Sequence, residues 1–179
     1  MSTFKKHILG ALFTLIAGSI LHFAFEWSGR NLLVAMFTPI NESVWEHLKL
    51  LITPMLFYSI IEYFTYGKKI ANFVPIRVLS IIMGMLAIIV SFYTYSGIIG
   101  SNYLVADIGT FVLGTLVAYW VSFRLLQTQC FVSKLANLLG WIVLVFLIFA
   151  VIVFTFTPPH IALFKYSVSG AYGISALRF

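Results

Sequence analysis

Charge is scarce in this chain. Asp, Glu, Lys and Arg together make up 9% of its 179 residues, where a soluble globular domain carries about a quarter. That shortage excludes a cytosolic enzyme and a disordered tail, both of which need a well-solvated surface. The 5 acids are Glu26, Glu42, Glu46, Glu62 and Asp107. Against them stand 11 Lys and Arg, giving an isoelectric point near 9.6. The surplus forms no basic block, so no nucleic-acid partner is expected. Cysteine occurs once, as Cys130, which excludes an internal disulfide. Repeats, low-complexity stretches and linkers long enough to separate domains are missing too, so residues 1–179 read as one domain.

Apolar residues are what the chain has in abundance: 61% of it is hydrophobic and its mean hydropathy is +1.05. Crossing about 30 Å of hydrocarbon takes about 20 apolar residues in helix. The segments Ile8–Trp27, Glu42–Tyr66, Val74–Ser96, Tyr103–Leu126 and Leu135–Thr157 meet that requirement. They predict an all-α bundle of five transmembrane helices, followed by a tail from Pro158 to Phe179. Lys5 and Lys6 precede the first run as in a secretion signal, but no small-residue cleavage site interrupts it before Phe25. A retained helix is expected. Pro54 should kink the second segment.

Basic residues set the orientation. With the N-terminus inside, the inner side receives Lys5, Lys6, Lys68, Lys69, Arg77, Arg124 and Lys134, and the outer side Arg30, Lys165 and Arg178, with Lys49 about a turn into a helix. This bias puts the N-terminus inside and the C-terminal tail outside. Trp27, Tyr63, Tyr66, Tyr93, Tyr95, Tyr103 and Trp141 fall near helix ends, where interfacial aromatics belong.

Ionisable groups inside membrane segments are costly, so their placement carries the functional signal. In this topology Glu26, Glu42, Glu46 and Asp107 converge on the outer ends of the helices with His22, His47 and His160, while Glu62 and His7 sit inward. Gly10, Thr14, Gly18, His22 and Glu26 recur every fourth residue and trace one stripe along the first helix. Its small members admit a neighbouring helix. Glu42, Glu46, Lys49 and Thr53 fall within about 60° on the second helix, opposite Val44, Leu48, Leu51 and Ile52. Asp107, Thr110, Gly114 and Ala118 make a further small-polar stripe. His47 lies about 100–140° from Glu42 and Glu46, and shares a site with both only if the first turn unwinds.

Three readings of this layer stand side by side. In the first, His22, Glu26, Asp107 and His160 are metal ligands for a divalent ion such as zinc, and Glu42 or Glu46 is a general base. Such a site suits hydrolysis or group transfer on a lipid or envelope substrate at the outer leaflet. No H-E-x-x-H motif supports it. In the second, the protein is not an enzyme and the layer locks helices or positions a partner protein: Ser43 and Glu46 form a capping box, Glu46 pairs with Lys49, and Asp107 favours a helix N-terminus. In the third, carboxylates and histidines line a transport path or proton relay, but the inner halves of the helices are dry and no paired inverted repeat is present. The sequon Asn41-Glu42-Ser43 falls at a helix start, where its residues are expected as caps.

The strings His22-Phe23-Ala24-Phe25-Glu26-Trp27-Ser28-Gly29, Pro39-Ile40-Asn41-Glu42-Ser43-Val44-Trp45-Glu46-His47-Leu48-Lys49-Leu50 and Pro158-Pro159-His160-Ile161, with Phe92-Tyr93-Thr94-Tyr95 and Asp107-Ile108, resemble those of a family of small integral membrane proteins from Gram-positive bacteria. The resemblance spans essentially the whole chain. It implies a multi-pass protein of a bacterial plasma membrane, with membrane lipids as neighbours, and lends no activity because that family is a domain of unknown function. The family tail more often has Asp-Pro after the lysine matching Lys165. Here Tyr166-Ser167 stand there, so no role for a tail carboxylate carries over.

Overall fold

The computed structural model describes residues 3–166 and 169–176, so Ser167 and Arg178 lie outside the described residues. It is all-α, with the helices α1 (Thr3–Trp27), α2 (Leu32–Ala35), α3 (Val44–Thr65), α4 (Phe73–Ile99), α5 (Leu104–Leu125) and α6 (Lys134–Phe156). All except α2 are long and apolar enough to cross a membrane. They answer the five expected segments.

Local chemistry sets most boundaries. The hydroxyls of Ser43 and Ser133 accept from the backbone N–H of Glu46 and Ala136 at 3.3 and 3.0 Å, capping α3 and α6. Gly100 ends α4 with φ +82°, a left-handed cap that suits a residue without Cβ. α1 starts earlier than expected because His7 docks onto α5. Its Nε2 lies 3.1 Å from Ser122 Oγ and its Nδ1 2.8 Å from Thr3 O. α3 starts later than expected: Asn41 Oδ1 accepts from Ser43 N at 2.9 Å and holds the preceding residues in a turn. Asn41 is buried, and its amide also donates to Gly173 O at 3.3 Å. It serves as a turn residue two positions ahead of the cap, which is Ser43.

Small residues set the helix packing. α4 and α5 form the most extensive pair, brought together where a Cβ on Gly84 would meet Gly114 O at 2.8 Å. α1 lies on α3 and α5, and a Cβ on Gly18 would stand 2.5 Å from Leu50 O. The expected small-residue stripe of α1 is therefore a packing face. Leu48, Leu51 and Ile52 of α3 are buried in the central core with Met55 and Ile81. Phe57, Ile60, Ile61 and Phe64, nearer its C-terminus, are exposed. Large apolar side chains also cover the outside of α1 and α6, as contact with lipid demands.

The helices alternate in direction. One end of the bundle gathers Glu26, Glu42, Glu46, His47 and Asp107. The other gathers Glu62, Arg77 and the turn Gly67–Lys69. We call these the Asp107 end and the Arg77 end. After α6 the tail folds back over the Asp107 end: Phe164 is buried with its ring 4.8 Å from that of Trp45, and Ile174 packs on Phe25, Ala35 and Ile40.

Candidate functional site

Ile40, Ala35, Phe37 and Thr38 belong to the connection between α1 and α3, to which the sequence assigns no element. Their backbone groups reach into the bundle, where lipid offers no hydrogen bonds. The polar stripe of α3 satisfies them. Glu46 Oε2 accepts from Ile40 N at 3.0 Å. Lys49 Nζ donates to Ala35 O at 2.9 Å, Thr38 O at 3.3 Å, Glu46 Oε2 at 2.7 Å and Thr155 Oγ1 at 2.6 Å. Thr53 Oγ1 donates to Phe37 O at 2.7 Å. Lys49 and Glu46 are 0% and 1% exposed. The expected Glu46–Lys49 pair is present, and its work is to clamp the α2 segment and α6 onto α3. Held in that clamp, Glu46, expected as a candidate base, does not line the cleft described next.

Glu42 goes elsewhere. Because it precedes the helix, it is free of the helical geometry that set it apart from His47. Its carboxylate lies 3.1 Å from His47 Nε2 and 3.8 Å from His22 Nε2. One ligand atom from each of His22, Glu42 and His47 lies within 4.8 Å of the other two. The rings of His22 and His47 stand 5.4 Å apart. His47 Nδ1 lies 3.0 Å from Ser43 O, so a proton on Nδ1 points at the carbonyl, and Nε2 donates to Glu42 when the ring carries its second proton. The hydrogen bond from His47 holds the Glu42 carboxyl below the usual carboxylate range, against partial burial, which acts the other way.

Glu42 and His47 form one wall of a cleft of about 80 Å³ between α3, α4 and α5. Asp107, Asn102 and Thr110 line it from the α5 side, and Ile88, Phe92 and Phe111 add apolar surface. Asp107 is oriented by the hydroxyl of Tyr95, which donates to Oδ1, and by Asn102 Nδ2, which donates to Oδ2 at 3.2 Å. The cleft thus combines the His47 imidazole and two carboxylates with an apolar flank, and His22 of α1 approaches Glu42 without lining it.

Of the residues expected as ligands, His22 is the one that belongs to this group. Glu26 faces solvent and pairs with Arg30 at 3.1 Å. Its place one turn after His22 on α1 suggests a shared site, but the left-handed Gly29 and Arg30 bring the arginine back over it instead. Asp107 shares the cleft without joining the three-residue cluster. His160 is exposed and stacks on Tyr172 at 4.4 Å, because the tail that leaves Pro158 and Pro159 returns beside it. His47 is the ligand candidate that helical periodicity sets aside. Asn41 and Ser43, as turn and cap residues, are the sign in the sequence that Glu42 lies off the helix.

A family of unknown function, DUF6512, matches residues 1–174 of the chain. No curated protein and no solved structure matches it.

Proposed function

The chain belongs to that family, whose description names no activity, and we propose that it is a multi-pass membrane protein that binds a divalent metal ion at His22, Glu42 and His47. One observation carries this reading: ligand atoms of these side chains lie within 4.8 Å of one another, and Glu42 and His47 also line the cleft. Two imidazoles and a carboxylate are the donor set of catalytic zinc sites, where a fourth position is left for water or substrate. His47 has the outer-shell partner such ligands need, since its Nδ1 faces the Ser43 carbonyl at 3.0 Å. A metal in this position acidifies its bound water and polarises a carbonyl or phosphoryl oxygen. Asp107 is the carboxylate in the same cleft suited to take up the water's proton, and the reaction class is hydrolysis or group transfer on a substrate at the membrane surface. The basic residues of the Arg77 end favour that end inside and the cleft outside, at a bacterial plasma membrane.

Elemental analysis of the detergent-purified protein tests this reading. Wild type is expected to hold near-stoichiometric zinc after incubation with zinc ions, and a His22→Ala, His47→Ala variant of unchanged thermal midpoint to hold none. A wild type that stays metal-free sinks the proposal and leaves Glu42, paired with His47 and His22, as a link that fastens α1 to α3.

A further inference from the structure

The Arg77 end contains a second polar feature, within an otherwise apolar wall. Arg77 of α4 is 3% exposed and pairs with the buried carboxylate of Glu62 on α3, which also accepts from the hydroxyl of Tyr66. One guanidinium nitrogen, Nη2, serves that pair. Nε and Nη1 are buried and make no hydrogen bond within the described residues, and the same holds for Ser59 Oγ. Buried donors of this kind nearly always have a partner, and a guanidinium is among the costliest groups to leave without one. Arg77 and Ser59 both line a cavity of about 150 Å³ between α3, α4 and α6, whose other walls include Tyr63, Phe73, Trp141 and Leu144. An apolar space of about this volume takes a benzene-sized hydrocarbon.

The depth and surroundings of the cavity define its occupant. Arg77 lies four residues after the start of α4, about 6 Å along the helix, which is the level of lipid ester and phosphate groups rather than of the bilayer centre. Lys68 and Lys69 are exposed in the turn that leads into α4, and Lys134 is exposed at the start of α6. Lys6 stands 3.6 Å over the Tyr66 ring. A hydrocarbon groove with orphan donors at interfacial depth and a lysine rim complements one class of molecule. We propose that this groove binds an anionic phospholipid, with part of an acyl chain between α3, α4 and α6, an ester or phosphate oxygen accepting from Arg77 Nε and Nη1, and the head group among the lysines. This inference rests on the membrane reading and is independent of the metal site.

Native mass spectrometry of the full chain, loaded with phosphatidylglycerol or phosphatidylcholine of identical acyl chains, tests it. Wild type should retain phosphatidylglycerol about tenfold better than phosphatidylcholine. Ser59→Leu, which fills the groove and leaves the ion pair intact, should lower retention of both lipids. Arg77→Leu combined with Glu62→Leu removes both buried charges together and should abolish the preference. Equal retention of the two lipids by wild type overturns the proposal, as does a correctly folded Ser59→Leu protein that retains phosphatidylglycerol like wild type. If the double variant fails to fold, Ser59→Leu decides the matter alone.

Discussion

Lys49 and Glu46 show how far a residue's role depends on what surrounds it. Both carry charge into a region that excludes water, and each is tolerated because the other is 2.7 Å away. Removing one partner of a buried pair strands the other charge, at about 3–5 kcal/mol, whereas removing both together is often close to neutral. Lys49→Met alone should therefore lower stability by about that amount, and Lys49→Met with Glu46→Leu should recover more than half of the loss. Recovery will be incomplete because Ala35 O and Thr38 O lose their donor. Unfolding of the two variants in detergent, monitored by circular dichroism, reads the difference. A double variant no more stable than the single would show that the backbone contacts outweigh the ion pair. Glu42, two positions before the start of α3, has the opposite character: it is exposed, paired with histidines and placed at a cleft. The same side-chain type four residues apart thus divides between scaffold and site.

At the scale of the element, close approach rather than amphipathic burial governs how these helices meet. In lipid an apolar face gains little by leaving its solvent, so packing and fit carry the association. The α4–α5 crossing is the clearest instance, since a Cβ on Gly114 would press on Gly84 O at 2.8 Å and on Ile88. Gly114→Val should cost about 1–3 kcal/mol through overpacking. Gly109 lies on the same helix with nothing within 4 Å of an added Cβ, so Gly109→Ala should leave stability unchanged or raise it slightly through better helix propensity. Thermal midpoints of the two variants compare the effects directly, and equal losses would refute the close-packing account. Periodicity is informative here: the four-residue recurrence of Gly10, Thr14 and Gly18 marks the face of α1 that meets α3 and α5. The α2 connection carries no such signal. Its form depends on Lys49, Glu46 and Thr53 receiving its backbone groups from another helix.

At the scale of the whole molecule, charge is divided between the two ends. Lys68, Lys69, Arg77, Arg124 and Lys134 gather at the Arg77 end with Glu62, while Glu26, Glu42, Glu46 and Asp107 gather at the other. Positive charge resists translocation, so the Arg77 end should face the cytoplasm. In a Cys130→Ser background, a membrane-impermeant thiol reagent applied to intact cells should label Asn102→Cys at once and Lys68→Cys only after permeabilisation. The reverse pattern would invert the topology and place the cleft inside.

Sequence alone determined the class of this protein, because helix number, span and approximate ends follow from how much apolar length a bilayer requires. It also determined that polar groups concentrate at one level, and that Ser43 caps α3. Which of those groups meet was decided only by the tertiary structure. His22 and Glu42 come from different segments of the chain, and their distance depends on the packing of α1 on α3 through Gly18. Glu42 and His47 are near in sequence, yet they meet because the turn at Asn41 lifts Glu42 off the helix whose geometry keeps them apart. Periodicity reports the direction of a side chain only where the helix exists, and α3 begins at Val44, two residues after the carboxylate that completes the site.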